Sequence, residues 1–276
     1  METSSPIEYT LPYMAGTRNT PKEALEEAFR ALRPFSESDR WEFESHLRHI
    51  EFVLKALQTR QQATVIDVGC YIGIVPLALR ILGVDVVGND KYIFYPKEKG
   101  KAYGFSEQEL GVLKQVWKKY GLHIDAHDVG KSLPEKEYDI VLSIATIEHQ
   151  PYPKQFLEGV ASFAKHGGIV YVATPNIAKF ANRLRFLLGR PPMNNLEEFY
   201  ANAHHFNGHW REYTCVELST MARLSGLSVQ SCKAWQMEPV KLKWRSPRKW
   251  ARGIARLCAR VVPGTGDINV LIARKV

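Results

Sequence analysis

A parallel sheet wound with helices on both faces is the architecture this sequence points to. Short apolar runs alternate with amphipathic segments. Thr64–Val68, Val84–Val87, Tyr138–Ile144 and Gly168–Val172 are runs of strand length, and the last two are almost unbroken by polar residues. Strands that are apolar on both faces belong in a sheet covered on both sides. Between them, apolar residues recur at steps of three and four, the period of a helix. The 276 residues, 45% of them apolar, suit one large domain or two small ones and exclude a disordered chain.

Residues 1–19 are polar and read as a loose arm. Thr20-Pro21-Lys22-Glu23 has the pattern of a capped helix start, with Pro21 suited to the first helical position and Glu23 to closing a capping box. Phe43, Leu47, Ile50, Leu54 and Leu57 form the stripe of a second helix. The first strand, Thr64–Val68, is followed by a helix over 74–82 with Pro76 in its first turn, then the strand Val84–Val87. A helix over 106–120, a weaker strand over 122–126, the strand Tyr138–Ile144, a helix through Phe156–Phe163 and the strand Gly168–Val172 come next. Residues 177–212 are a long insertion, residues 214–234 return to helix then strand, and Asn269–Ala273 is the closing strand. The expected organisation is an arm and packing helices over 1–60 and a main domain over 61–276, with a basic amphipathic segment at 241–262.

Charge is unevenly placed. The net +8 resides in residues 241–276, which hold ten Lys or Arg and one acid, while residues 1–240 are close to neutral. Arg248, Arg252, Arg256 and Arg260 repeat every four residues, opposite Trp250, Ile254, Leu257 and Val261. Such a helix can lie on an anionic membrane, cover the sheet, or grip nucleic acid. The insertion holds a similar pattern, with Phe180, Leu184, Leu187 and Leu188 on one face and Lys179, Arg183, Arg185 and Arg190 beside them. No run of about 18 apolar residues is present, and the first twenty residues lack the pattern of a signal peptide. Cys70, Cys215, Cys232 and Cys258 form no C-x-x-C pair, so a cytoplasmic protein without a disulfide framework is expected.

In open α/β sheets, ligands bind where strands end and helices begin. The first such turn is Asp67-Val68-Gly69-Cys70-Tyr71-Ile72-Gly73. Its glycines allow close backbone approach, and Asp67 suits a ligand with an ammonium or sulfonium better than a pyrophosphate. An ordinary strand-to-helix junction would show the same glycines. Asp90 follows the second strand, 21 residues after Gly69, a spacing at which an acid accepts ribose hydroxyls. Taken alone it would also pass for a solvated loop aspartate. Asp128, after the third strand, could accept from an adenine amino group. The missing second glycine of G-x-G-x-x-G speaks against a dinucleotide.

The segments VIDVGCYIG, VVGND, AHDVGKSLP, YDIVLSIATIEHQPYP, HGGIVYVATPN, HWREYTCVELSTMARLSGL and INVLIARK occur in one order over about residues 40–276. On these the chain resembles the class I S-adenosylmethionine-dependent methyltransferases. The resemblance implies a Rossmann-like sheet of seven strands, the last antiparallel. It implies that Asp67, Gly69, Cys70, Tyr71 and Gly73 form the loop under the methionine part of S-adenosylmethionine. Asp90 would hold the ribose and Asp128 with Val129 the adenine edge. Ile144 and Ala145 would lie beside the sulfonium. Tyr71 departs from the family, which usually has a glycine there.

Methyl transfer to a hydroxyl needs a group that removes its proton. Glu148-His149, just past the fourth strand, supplies a carboxylate and an imidazole of suitable basicity. Either His149 is the base, or the pair orders the loop and lines the site. His204, His205 and His209, near Tyr213, are close enough to suggest a metal, but Asn207 and Gly208 make a helical His pair doubtful. No metal is expected; these four residues are taken to line the acceptor pocket, or His209 and Arg211 to anchor the helix near Thr214.

The expectation is O-methylation of a small-molecule, saccharide or lipid-linked acceptor. The last two classes come from the resemblance and its NRLRFLLGRPP insertion. The alternatives are an RNA or protein methyltransferase using the basic end, or a non-catalytic protein that keeps the fold. No stacking motif for nucleic acid is seen, so that partner is disfavoured.

Overall fold

In a computed structural model, seven strands form one sheet: β1 (Val65–Val68), β2 (Val86–Asn89), β3 (Ile124–Asp125), β4 (Tyr138–Ile144), β5 (Ala164–Pro175), β6 (Leu227–Trp235) and β7 (Ile268–Lys275). The structure describes residues 19–36, 40–60, 62–91, 105–192, 196–201, 208–237 and 261–276. Strand order is β3-β2-β1-β4-β5-β7-β6, and β7 runs antiparallel to both of its neighbours. The order reverses between β1 and β4, which pair in parallel. That switch point opens a crevice at the carboxyl ends of the strands.

Eight helices surround the sheet among the described residues: α1 (Pro21–Ala31), α2 (Arg40–Leu57), α3 (Ile74–Ile81), α4 (Glu107–Tyr120), α5 (Pro153–Ser162), α6 (Phe180–Leu187), α7 (Leu196–Ala201) and α8 (Cys215–Leu224). Their starts follow from side chains. Thr20 with Glu23, Ser106 with Glu109, and Thr214 with Glu217 form reciprocal capping boxes on α1, α4 and α8. Each box satisfies amide donors that a helix start would otherwise leave open. Gly121 ends α4 in the left-handed conformation, φ +65°.

The unbroken apolar runs have a simple cause. Ile140, Leu142, Tyr171 and Val270 face a core shared with α1, α2, α3 and α4. Val141, Val170, Val172 and Leu271 face a second core shared with α5 and α8. Alternate residues of each strand enter different cores, so every position is apolar. The weaker third strand is reduced to Ile124–Asp125. The arginine-bearing segment 248–260 lies outside the described residues, as does residue 1–18 of the arm.

One polar contact is sealed inside the first core. His49 Nδ1 on α2 lies 2.6 Å from the Tyr171 hydroxyl, and Nε2 lies 3.3 Å from Ser45 Oγ. Burial, helped by the charge of His46 and Arg48, pushes His49 down to about 3, so it is neutral. In the unfolded chain a histidine titrates near 6.5. Between those values the unfolded state binds the extra proton, so this contribution to stability is complete above about pH 6.5 and shrinks as pH falls towards 3. Tyr171→Phe strands the His49 Nδ1 and should cost about 1–3 kcal/mol in urea unfolding at pH 7.

Candidate active site

Both sides of the crevice are built from backbone that turns sharply. At the end of β1, Gly69 has φ +78° and Gly73 has φ +87°. A side chain on Gly69 would collide with Thr146 from the far wall. Thr146 Oγ1 is 3.3 Å from the Gly69 carbonyl oxygen and 3.0 Å from that of Ile144, which ties the ends of β1 and β4 together. Tyr71, where a glycine was expected, keeps the left-handed conformation at φ +50°. Its amide donates to Asp90 Oδ2 at 2.8 Å, and its half-exposed ring packs on Phe105. The tyrosine therefore takes the left-handed backbone that favours glycine. Ala145 is a second non-glycine residue with positive φ, at +51°, and it is exposed at the end of β4.

Asp67 lies under this turn. Its carboxylate is buried, and Oδ1 has no hydrogen-bond partner among the described residues. Burial, with the nearby charge of Asp90, pushes Asp67 up to about 7. Burial also pushes the Cys70 thiol up. Asp128 is held differently. Lys91 Nζ donates to Oδ1 at 2.7 Å and Lys131 Nζ pairs with Oδ2 at 2.9 Å. Burial acts to raise this carboxyl, but the two lysines outweigh it and hold it below its ordinary value. Val129 is half-buried beside it. Neither lysine was singled out in the sequence, because lysines 37 residues before and three after an acid carry no pattern of their own.

Past β4 the chain makes one 3-10 turn, Ile147–His149. Glu148 is fully buried; Oε2 accepts from Thr174 Oγ1 at 2.9 Å, and Oε1 has no partner among the described residues. Burial pushes it up to about 7. Its backbone carbonyl accepts the Trp210 amide at 2.7 Å, which draws the segment 208–213 across the crevice. His149 Nδ1 lies 3.2 Å from the Gly208 carbonyl. A carbonyl only accepts, so Nδ1 carries the proton and Nε2 is the lone-pair nitrogen of the neutral ring.

The same segment delivers His209. Its ring meets His149 edge to face, centroids 4.8 Å apart. His209 Nδ1 is 2.9 Å from Glu212 Oε1, and this bond, with the charge of Glu148 and Glu212, outweighs burial and raises the imidazole above its ordinary value. A Glu148 oxygen and one nitrogen of each histidine all lie within 4.8 Å of one another. Three such donors could hold a cation or exchange a proton. Tyr213 is 2% exposed and packs in the second core beside this segment. Arg211 pairs with Glu217 of the α8 cap. His204 and His205 lie outside the described residues.

A family model described as a methyltransferase domain matches residues 39–231. The chain belongs to this methyltransferase family. Among curated proteins it is similar to the ubiquinone biosynthesis O-methyltransferase of Hydrogenovibrio crunogenus, 26% identical over 200 residues, which are 71% of this chain and 74% of that one. The protein of the same description from Roseobacter denitrificans is 23% identical over 185 residues, 66% of each chain. Among solved structures, magnesium protoporphyrin IX methyltransferase of Synechocystis with bound S-adenosylhomocysteine aligns with TM-score 0.51 at 13% identity, covering 93% of this chain and all of that one. The 1,6-didemethyltoxoflavin-N1-methyltransferase of Burkholderia thailandensis aligns with TM-score 0.51 at 16% identity, over 92% and 87% of the two chains. The methyltransferase thus has the fold of the S-adenosylmethionine-dependent class, with its last strand antiparallel as expected.

Gly69 is the position on which the methyltransferase's two walls converge. Gly69→Ala combines a left-handed backbone with a clash against Thr146. It should lower stability by about 2 kcal/mol or more, read from chemical denaturation. An unchanged midpoint would mean that the walls do not approach as closely as drawn.

Proposed function

We propose that this methyltransferase alkylates an oxygen of a small or lipid-linked acceptor, with S-adenosylmethionine as methyl donor. The observation that carries the reading is the meeting of Glu148, His149 and the His209–Glu212 pair at the carboxyl end of β4. The O-methyltransferase names of the curated relatives support oxygen as the target atom.

The residues present fit the cofactor. A buried carboxylate oxygen on Asp67, without a partner among the described residues, matches an ammonium donor. Gly69, Cys70, Tyr71 and Gly73 would line the amino-acid part, Asp90 the ribose, and Asp128 with Val129 the adenine edge. Ile144 and Ala145 would border the sulfur through their backbone. When bound, S-adenosylmethionine supplies a methyl group already activated by a positive sulfur.

The protein's own task is then alignment and removal of one proton. A hydroxyl acceptor must lose its hydrogen as its oxygen is alkylated. His149 takes that proton on Nε2, the nitrogen left basic by the Gly208 carbonyl. His209, fixed by Glu212, and Glu148 place negative charge and a second imidazole beside the ring as it becomes cationic. Thr174 keeps Glu148 in place.

The lipid-linked class is supported by α6. Phe186 and Leu187 at its end and Leu188 just past it are 72%, 81% and 73% exposed, while the polar Asn182 is buried. Lys179, Arg183, Arg185 and Arg190 share the segment without an acid. Exposed apolar side chains among cations suit a surface of acidic headgroups.

Two measurements test this. His149→Gln should lower kcat by about 100-fold or more with cofactor affinity unchanged. A loss confined to cofactor affinity would instead make His149 a residue that orders the loop. Wild-type protein should float with phosphatidylglycerol vesicles and not with phosphatidylcholine, and the triple change Phe186→Glu, Leu187→Glu, Leu188→Glu should abolish flotation. Equal behaviour of the two proteins would remove α6 from the membrane contact.

A further inference from the structure

Cys215 is the first residue of α8, and Cys232 lies on β6, the edge strand that α8 covers. Their sulfurs are 2.6 Å apart. That separation places the two thiols directly against one another. Both are free thiols and half-buried, so a small reagent can reach them. The arrangement is local. A tight helix start, set by the Thr214–Glu217 box, faces a strand that shifts register between Val229 and Ser231, just before Cys232.

We propose that Cys215 and Cys232 are a reversible oxidation site, closing a disulfide between α8 and β6 by exchange with a small disulfide such as oxidised glutathione. The sulfur that attacks first is Cys232. With Cys232 ionised, the Cys215 hydrogen turns from Asn269 to the Cys232 sulfur; that bond and the Ser219 side chain hold the Cys232 thiol below its ordinary value, while Cys215 is pushed up. The Cys232 thiolate attacks one sulfur of the glutathione disulfide. A mixed disulfide forms and one glutathione thiolate leaves. Cys215 then gives up its proton and attacks the Cys232 sulfur, expelling the second glutathione. Two protein thiols are oxidised and one glutathione disulfide is reduced to two thiols.

The bond would be felt beyond the pair. The Cys215 thiol donates to Asn269 Oδ1 at 3.3 Å. Asn269 Nδ2 in turn donates to the Tyr213 carbonyl at 2.7 Å and lies 3.3 Å from Asn176 Oδ1. Asn176 also bridges to Tyr213 through the backbone. This strap holds the residue next to Glu212. Oxidation removes the thiol hydrogen from one end of the strap, so redox state reaches the His209–Glu212 pair.

Intact-mass measurement of the whole chain after oxidised glutathione, with dithiothreitol as the reverse step, tests the site without any activity assay. The expected product is lighter by two hydrogens, carries no glutathione, and gives a Cys215–Cys232 cross-linked peptide. Cys232→Ser should yield no such species, and Cys215→Ser should stop at a glutathione adduct on Cys232. A wild-type protein that stays fully reduced, keeps its adduct, or cross-links through Cys70 or Cys258 overturns the proposal. Turnover should change on oxidation and recover with dithiothreitol in the wild type, while Cys232→Ser is indifferent to both reagents. Unaltered turnover in the cross-linked protein would overturn the link to the site while leaving the covalent assignment standing. Absence of turnover in the reduced protein would count against the methyltransferase acceptor reading, not against the disulfide.

Discussion

Asp67 and Glu148 are buried at the two rims of one crevice, and each keeps a carboxylate oxygen without a hydrogen-bond partner among the described residues. Taking a carboxylate out of water is costly, and the cost shows in both groups being pushed up to about 7. A folded chain left to optimise stability would not keep two such groups a strand apart. The arrangement makes sense when a positively charged ligand answers one and a proton-handling imidazole answers the other. Thr146 and Thr174 are the supports: one joins the rims, the other fixes Glu148. The rest of the site hangs on these two desolvated charges, because they set what the crevice will accept.

The same burial gives the protein opposing responses to pH. The two carboxyls have folded values above their ordinary 3.8 and 4.5, so the folded state binds more protons than the unfolded state between those values and about 7. Their contribution therefore declines as pH rises through that window. His49 works in the other direction, losing stability as pH falls below about 6.5. The core histidine and the site carboxyls thus oppose one another across the same range, and a ligand that neutralises Asp67 would relieve the second penalty at neutral pH.

Local chemistry was legible in the sequence, and long-range pairing was not. Asp67, Gly69 and Gly73 could be read because a strand ending in glycines at a strand-to-helix junction is written in consecutive residues. Tyr71 broke the pattern by residue type, yet the backbone it adopts, φ +50°, is the one a glycine would have taken. The Glu148–His149 pair was adjacent and visible. Its connection to His209, 60 residues later, was not, since it depends on the Glu148 carbonyl capturing the Trp210 amide. Glu212 stands three residues after His209 in an irregular segment without a pattern of its own, and its bond to that ring is what gives it a fixed direction. Tyr213 packs in the second core, a placement that its proximity in sequence to the histidines does not reveal. Helical period located α6 but left open which side faces inward.

That inversion in α6 has a physical explanation in the way the helix is tied down. Asn182 is buried and donates to the Ile177 carbonyl at 3.0 Å, while Arg183 donates from Nε to Ala178 at 2.8 Å and from Nη2 to Gly264 at 3.3 Å. Asn176, at the start of the insertion, donates to the carbonyls of Gly264 and Gly266 at 3.0 and 2.8 Å. Asn182 and Arg183 thereby tie the first turn of α6 to backbone carbonyls, while Phe186, Leu187 and Leu188 beyond it face outward. Each exposed Leu or Phe forgoes roughly 1.5–3 kcal/mol that burial would return. A helix merely resting on the sheet would rotate to recover that energy. This one is held against rotation by the Asn182 and Arg183 hydrogen bonds, and loss of the Asn182 bond would strand a buried polar group at about 1–3 kcal/mol. On the proposed reading the unrecovered energy is what a lipid surface supplies, and the insertion begins two residues after β5, beside the same strap that carries Tyr213 and leads to Glu212. An acceptor delivered from such a surface would arrive on the side of the crevice where His209 and His149 meet.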